Sequence, residues 1–240
     1  MRAFFLGTGP ASGWPAYGKR TRKRRRPSTY AFQCHGTNFF VDVGSWEAAL
    51  EGSEVLGRVD AVFLSHAHVD HWGGINFFRW GPELPTYSAR ETFEHPYFKE
   101  IKDAPFSLAL QEVRPFEEVE VGKAKVTPFP LSHSVPAVGY LIECGVRVAY
   151  ALDTKWLPQE SLEFLKGSVD YLIVDSALPK GEKGAHNTYS EALALGKELG
   201  AKVVFAVHLL PSVKEEEVLE EGEALGVKVV VPDDSSSFEL

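Results

Sequence analysis

The segment Val59-Asp60-Ala61-Val62-Phe63-Leu64-Ser65 runs directly into His66-Ala67-His68-Val69-Asp70-His71-Trp72-Gly73-Gly74, and the join between them decides the fold. Val59–Ser65 is a nearly continuous apolar stretch, the pattern of a strand buried on both faces. His66 begins as that strand ends. Alternate residues of an extended chain share a side, so His66 and His68 aim at one point. Asp70 and His71 follow in the turn. Gly73-Gly74 then lets the backbone fold tightly into a helix predicted over Gly73–Trp80. Four metal-competent side chains are thus gathered in six residues, His66 to His71. A lone strand-end histidine is more often a hydrogen-bonded structural residue; so dense a run is better explained by metal.

The same placement recurs further along the chain. His133 closes the run Val126–Ser132, Asp153 closes Val146–Leu152 and His208 closes Val203–Val207. Each sits at the C-terminal end of a hydrophobic strand, the edge where ligands bind in α/β folds and a rigid mount for a shaped site. Five imidazoles (His66, His68, His71, His133, His208) and two carboxylates (Asp70, Asp153) exceed what one tetrahedral zinc can use. Two divalent ions fit the inventory better. Imidazole with carboxylate suits zinc, manganese or iron. A water bridging two such ions would ionise near neutral pH and give a hydroxide nucleophile. His35 and His95 lack this setting and are read as structural or surface residues.

Working outward, strand-like runs fall at Arg2–Leu6, Thr29–Cys34, Asn38–Val43, Lys125–Leu131 and Ala137–Glu143, then at Val146–Leu152, Asp170–Asp175, Lys202–Val207 and Val227–Val231. Cys144-Gly145 reads as a tight hairpin turn. Helical patterns fall at Pro158–Lys166, Tyr189–Leu199 and Val213–Leu225, with Pro158 in a first turn, Thr188 and Glu191 as a capping box, and Gly200 and Gly226 as stops. The stretch from Pro82 to Pro115, with its prolines and scattered aromatics, reads as a lid or insertion. The first half is β-rich and the second alternates strand with helix. The expected architecture is an α/β sandwich, two facing sheets with helices outside, in one domain over residues 1–240.

Composition narrows the partners. A formal net charge of −8 over 240 residues argues against bulk attraction to nucleic acid. Lys19–Arg26 breaks the trend, being basic at every position except Thr21. With Trp14 and Tyr17 nearby it could attract phosphate or RNA, or be a solvated, locally paired loop. No apolar run approaches the roughly 18 residues of a membrane span, and the start is too short in apolar length for a signal peptide, so the chain is read as cytoplasmic. Cys34 and Cys144, the two cysteines, are read as buried apolar thiols and not as a disulfide or a zinc site. One Met, two Cys and few Asn resemble a thermophile's usage. A homodimer is compatible with the sequence, which does not specify an oligomeric state.

At the histidine run the chain resembles the metallo-β-lactamase superfamily, whose signature is H-x-H-x-D-H after a strand. The likeness extends to Leu6-Gly7-Thr8-Gly9 and to Asp42 in Phe40-Val41-Asp42-Val43-Gly44. It implies the αβ/βα sandwich of that fold, with His66, His68 and His133 on one metal, Asp70, His71 and His208 on the other, and Asp153 bridging. Asp70 is counted as catalytic besides. Asp42 looks like the buried carboxylate that orients the histidine loop. A narrower resemblance is to the phosphoribosyl 1,2-cyclic phosphate phosphodiesterase family of carbon–phosphorus lyase pathways. It is carried by Phe78-Arg79-Trp80-Gly81, Pro85-Thr86-Tyr87, Thr127–Ser134, Gly139–Glu143, Asp153-Thr154 and His186-Asn187. That family cleaves cyclic phosphodiesters with two manganese or zinc ions, and its histidine matching His186 contacts phosphate and acts as general acid. The family's cysteine-rich zinc loop has no counterpart in Trp14–Pro27, so no structural zinc is expected, and Leu178 stands where a histidine is common.

His186 also has a reading of its own. It precedes Thr188, the expected N-cap, and free amides at a helix start attract anions. A histidine there can donate a proton to a leaving oxygen. The leading expectation is a dinuclear phosphodiesterase acting on a small cyclic phosphate or nucleotide. The alternatives are a tRNA 3′-processing type endonuclease, a lactone or thioester hydrolase, and a non-catalytic RNA-binding module.

Overall fold

Alternation along the strands sorts apolar side chains onto two faces. In the computed structural model, which describes residues 1–11, 13–21 and 23–240, β1 (Arg2–Gly7) sends Ala3 and Phe5 into one core and Phe4 and Leu6 into another. Antiparallel to it runs β2 (Thr29–Cys34), β3 (Thr37–Val43) is antiparallel to β2 in turn, and β14 (Ser236–Glu239) pairs antiparallel along the other edge of β1. From β3 the sheet continues in parallel through β4 (Ala61–Phe63), β5 (Leu84–Ala89) and β6 (Leu108–Val113). The second sheet repeats the plan. Its strands β7 (Val119–Val121), β8 (Ala124–Pro130), β9 (Val138–Glu143) and β10 (Arg147–Ala151) are antiparallel. The strands β11 (Tyr171–Asp175), β12 (Val203–Val207) and β13 (Val229–Val230) follow in parallel.

The inner faces of these two seven-stranded sheets meet. Phe5 packs on Phe205 at 4.9 Å between ring centroids, Tyr30 on Tyr150 at 5.2 Å and Phe63 on Tyr140 at 5.3 Å. Each fully buried side chain of this size contributes roughly 1.5–3 kcal/mol. Helices cover the outer faces. On the first sheet lie α1 (Trp46–Leu56), α2 (Val69–Trp72), α3 (Arg90–Glu94) and α4 (Lys99–Asp103), with Phe40, Trp72, Phe93 and Phe98 in their shared core. On the second lie α5 (Gln159–Leu165), α6 (Tyr189–Leu199) and α7 (Glu215–Leu225) over Leu172, Val174, Val204 and Ala206. This is the expected sandwich. Among the described residues no helix is long and apolar enough to cross a membrane.

Four expectations need correction. Pro82–Pro115 is not a lid: it supplies the parallel strands β5 and β6 with α3 and α4 between them. The helix expected over Gly73–Trp80 begins earlier, as α2, and resumes as a 3₁₀ turn at Ile75–Phe78. Gly73 and Gly74 do not simply launch a helix. A Cβ at Gly74 would lie 2.3 Å from the Ser45 carbonyl oxygen, so the glycine permits the loop after β3 to cross. Pro158 is the N-cap of α5, outside the first turn. Finally, Cys34 and Cys144 are buried as expected but joined in a disulfide. Cys34 ends β2 and Cys144 directly follows β9 on the opposite sheet, with Cα atoms 6.1 Å apart, within bonding reach, at a sequence separation of 110.

Three cations of the Lys19–Arg26 loop, Lys23, Arg25 and Arg26, are paired. The fully buried Arg25 guanidinium meets Glu215 at 2.7 Å and the Pro232 carbonyl at 2.7 Å. Lys23 meets Glu215 at 2.5 Å and also Asp233, and Arg26 meets Glu51 at 2.6 Å. Lys19, Arg20 and Arg24 are exposed, and Arg22 lies outside the described residues.

Candidate metal centre

Strand ends build the site. The turn after β4 brings His66 and His68, the loop after β8 brings His133, and Asp153 and His208 follow β10 and β12. His68 Nδ1 lies 3.0 Å from both His66 Nε2 and His133 Nε2. Asp153 faces two ways. Its Oδ2 is 3.9 Å from His66 Nε2 and 3.8 Å from His133 Nε2, while Oδ1 is 3.4 Å from His71 Nε2 and 3.3 Å from His208 Nε2. Asp70 Oδ2 approaches His71 Nε2 at 3.6 Å. Two groups of four ligating residues result, His66/His68/His133/Asp153 and Asp70/His71/Asp153/His208, and a smaller third, Asp153/Asp175/His186, with Asp153 common to all three. The seven residues singled out from sequence therefore converge, in the division the resemblance implies.

The site fits divalent cations by its own chemistry. His71 Nε2 and Asp153 Oδ1 are buried and lack hydrogen-bond partners, a costly state that a cation would relieve. Burial, with neighbouring imidazoles, holds His66 well below the usual histidine range and lowers His68, and burial brings His133 to about 4. Those three rings are neutral at pH 7, as ligation requires. Burial would lower His71 too, but Asp153, Asp42 and Asp70 outweigh it and raise the group well above its ordinary value. The field that draws a proton there would equally draw a metal ion.

Hydrogen bonds behind the ligands aim them. Asp42 accepts from Ser65 N (2.8 Å), Ser65 Oγ (2.7 Å) and Tyr150 Oη (2.6 Å), and pairs with His71 Nδ1 at 2.6 Å. A proton on His71 Nδ1 leaves Nε2 as the lone-pair atom facing the site. Ser65 Oγ lies 2.9 Å from His66 Nδ1, and Ser28 Oγ lies 3.1 Å from His208 Nδ1, to the same effect. The β2–β3 register shifts beside Asp42, whose φ is 58°, so the side chain leaves strict alternation. Bulges next to sites re-aim residues in this way. His208 also has positive φ, 63°, with its N–H donating to the Thr8 carbonyl at 2.9 Å.

His186 stands over this array, its ring centroid 5.3 Å from those of both His133 and His208. Its partner was not legible from sequence: Asp175, buried at the end of β11, lies 2.6 Å from His186 Nδ1. The available signal was an acidic residue closing an apolar strand, as Asp153 does. Burial lowers His186, but the bond to Asp175 outweighs it and brings the group up to about 9. At the α6 start, the expected anion site, Tyr189 N donates to the Leu178 carbonyl at 2.9 Å and Glu191 N to Thr188 Oγ1 at 3.2 Å, so those amides are already engaged. His186 is placed by Asp175 and not by that helix. His35, in the β2–β3 turn, and His95, which accepts from Tyr97 N at 3.2 Å, stand outside the cluster.

Residues 42–209 match the family model described as the beta-lactamase superfamily domain. An octanoyltransferase of Porphyromonas gingivalis is 28% identical over 232 residues, 87% of this chain and 46% of that protein. The chain thus spans about half the length of that relative. A ribonuclease Z of Methanopyrus kandleri is 26% identical over 275 residues, 96% of this chain and 94% of the relative. Among solved structures, a diphosphatase of the PhnP family superposes with a TM-score of 0.83 at 24% identity, covering 100% of this chain and 97% of the other.

Proposed function

The chain belongs to the metallo-β-lactamase superfamily and is a metal-dependent hydrolase; from that premise we propose a dinuclear phosphodiesterase cleaving a small cyclic phosphate or nucleotide diester. The observation that carries this reading is the His186–Asp175 pair beside two ligand groups that share Asp153. Divalent ions, zinc or manganese, would be held by His66, His68, His133 and Asp153 and by Asp70, His71, Asp153 and His208, and would supply Lewis acidity and an ionised water. The protein's own groups do the rest. Asp42, Ser65 and Ser28 fix the ring orientations. His186 keeps Nδ1–H on Asp175, and in its protonated form offers Nε2–H to the departing alkoxide, while Asp175 steadies the resulting change of charge. Thioester cleavage, whose thiolate departs readily without a proton, has less use for such a donor.

Endonucleolytic cleavage of RNA is the second reading. It is favoured by the ribonuclease Z relatives and by the exposed cations Lys19, Arg20 and Arg24. The test is turnover by metal-defined protein on a cyclic nucleotide, a dinucleotide, a structured RNA, a lactone and a thioester. Cleavage of the small diesters is expected; activity confined to the thioester or lactone would overturn the phosphodiesterase reading.

A further inference from the structure

The ligand-lined cavity, about 210 Å³, has His68 and Asp70 in common with a more apolar hollow of about 370 Å³. That hollow is walled by His68, Val69, Asp70, Trp72 and Tyr97. Tyr97 and Val69 are each 61% exposed there, an unusual outlay of apolar surface beside a polar site. The Tyr97 ring centroid is 6.4 Å from that of His68. Its mount is rigid. The next residue, Phe98, is fully buried edge-on to Trp72 at 5.2 Å, and the Trp72 indole donates to the Ala67 carbonyl at 2.8 Å, inside the histidine run. The Tyr97 backbone is tied to His95, whose ring packs edge-on against the tyrosine at 4.6 Å.

The geometry points to Tyr97 as the specificity residue of the site: a planar platform on which a nucleobase attached next to the scissile phosphate stacks, with Val69 beneath its edge. This rests on the phosphodiesterase reading and names its substrate class. An aromatic face accepts any base, and loss of one such contact typically weakens binding about tenfold. The hollow shares His68 and Asp70 with the ligand-lined cavity, so a base there and a phosphate over the ligands belong to one nucleotide. Trp46, 52% exposed, lines a different hollow that His68 does not border, which makes it the natural control.

The experiment measures binding of adenosine 5′-monophosphate and ribose 5-phosphate to the metal-loaded protein by calorimetry. The two share a phosphate and differ by the base. Wild type is expected to prefer the nucleotide about tenfold, Tyr97→Ala to erase the preference, and Tyr97→Phe and Trp46→Ala to keep it. Equal affinities in wild type, a preference that survives Tyr97→Ala, one that vanishes in Trp46→Ala instead, or equal weakening of both ligands by Tyr97→Ala would each overturn the platform. Base preference without turnover of any phosphodiester would remove the proposed activity and leave the platform standing. Turnover without base preference would do the reverse.

Discussion

Asp153 and His186 share one cavity and serve it differently, and substitution separates them. Asp153 presents one oxygen to each group of imidazoles. Asp153→Ala is therefore expected to weaken both metals together, read by elemental analysis; a variant that retains two tightly bound ions would defeat the bridging assignment. His186 belongs to neither four-residue group, so His186→Ala should keep its metals. It should lose about 100- to 10,000-fold of turnover on alkyl phosphodiesters, the usual worth of a proton donor, and far less on an activated aryl diester. Equal losses on both substrates would assign His186 to phosphate binding instead. The seven candidate ligands were readable because His66, His133, Asp153 and His208 close apolar runs and His68, Asp70 and His71 follow His66 directly, a pattern local in sequence. Asp175 was harder, since its role depends on His186 arriving from the loop before α6, and nothing near Asp175 in sequence announces that meeting.

Elements were legible where a periodic pattern is long. Tyr189–Leu199 matches α6 residue for residue, with both halves of its capping box. The helix α1 was missed because Gly52 interrupts its pattern; there a Cβ would lie 2.5 Å from Leu6 Cδ1, so the glycine admits β1 against the helix. The helices α3 and α4 have five residues each, too few for a period to register, and β5 carries Pro85. The basic loop also belongs to this scale. Its Arg25 crosses to Glu215 at the start of α7 and to the Pro232 carbonyl, while contacting Thr8, whose carbonyl receives the His208 N–H. Arg25→Ala should cost about 3 kcal/mol in chemical denaturation, as breaking a buried pair does. Burial would raise Glu215, but Lys23 and Arg25 outweigh it and hold the carboxylate below its ordinary value near 4.5. A lowered folded-state value stabilises above that ordinary value, and the contribution is lost as pH falls through the folded one. The stability difference between wild type and Glu215→Gln should accordingly shrink from about pH 5 downward. A difference constant through that range would show that the carboxylate charge adds nothing.

At the scale of the molecule, the two sheets are held by their aromatic inner faces and by one covalent bond, Cys34–Cys144. Two isolated cysteines gave no spacing to read, because the pairing depends on β2 facing the end of β9 across the core. The bond closes a long loop, with a sequence separation of 110 residues. Loop-closure entropy makes such a link worth roughly 4–5 kcal/mol, and measured cases run about 2–5. Cytosolic proteins seldom keep a structural disulfide outside hyperthermophiles. The bond therefore fits either an oxidising compartment or the thermophile-like usage of one Met, two Cys and few Asn. Cys34→Ser is expected to lower Tm by about 10 °C, each kcal/mol being worth about 2–4 °C in a chain of this size. Titration of the unfolded, unreduced protein should find no free thiol, and two after reduction. The proposed ligands follow β4, β8, β10 and β12, while the bond joins the end of β2 to the residue after β9, so the variant should bind metal normally at temperatures where it stays folded. Two free thiols before reduction, together with an unchanged Tm in Cys34→Ser, would mean the sheets are held by packing alone.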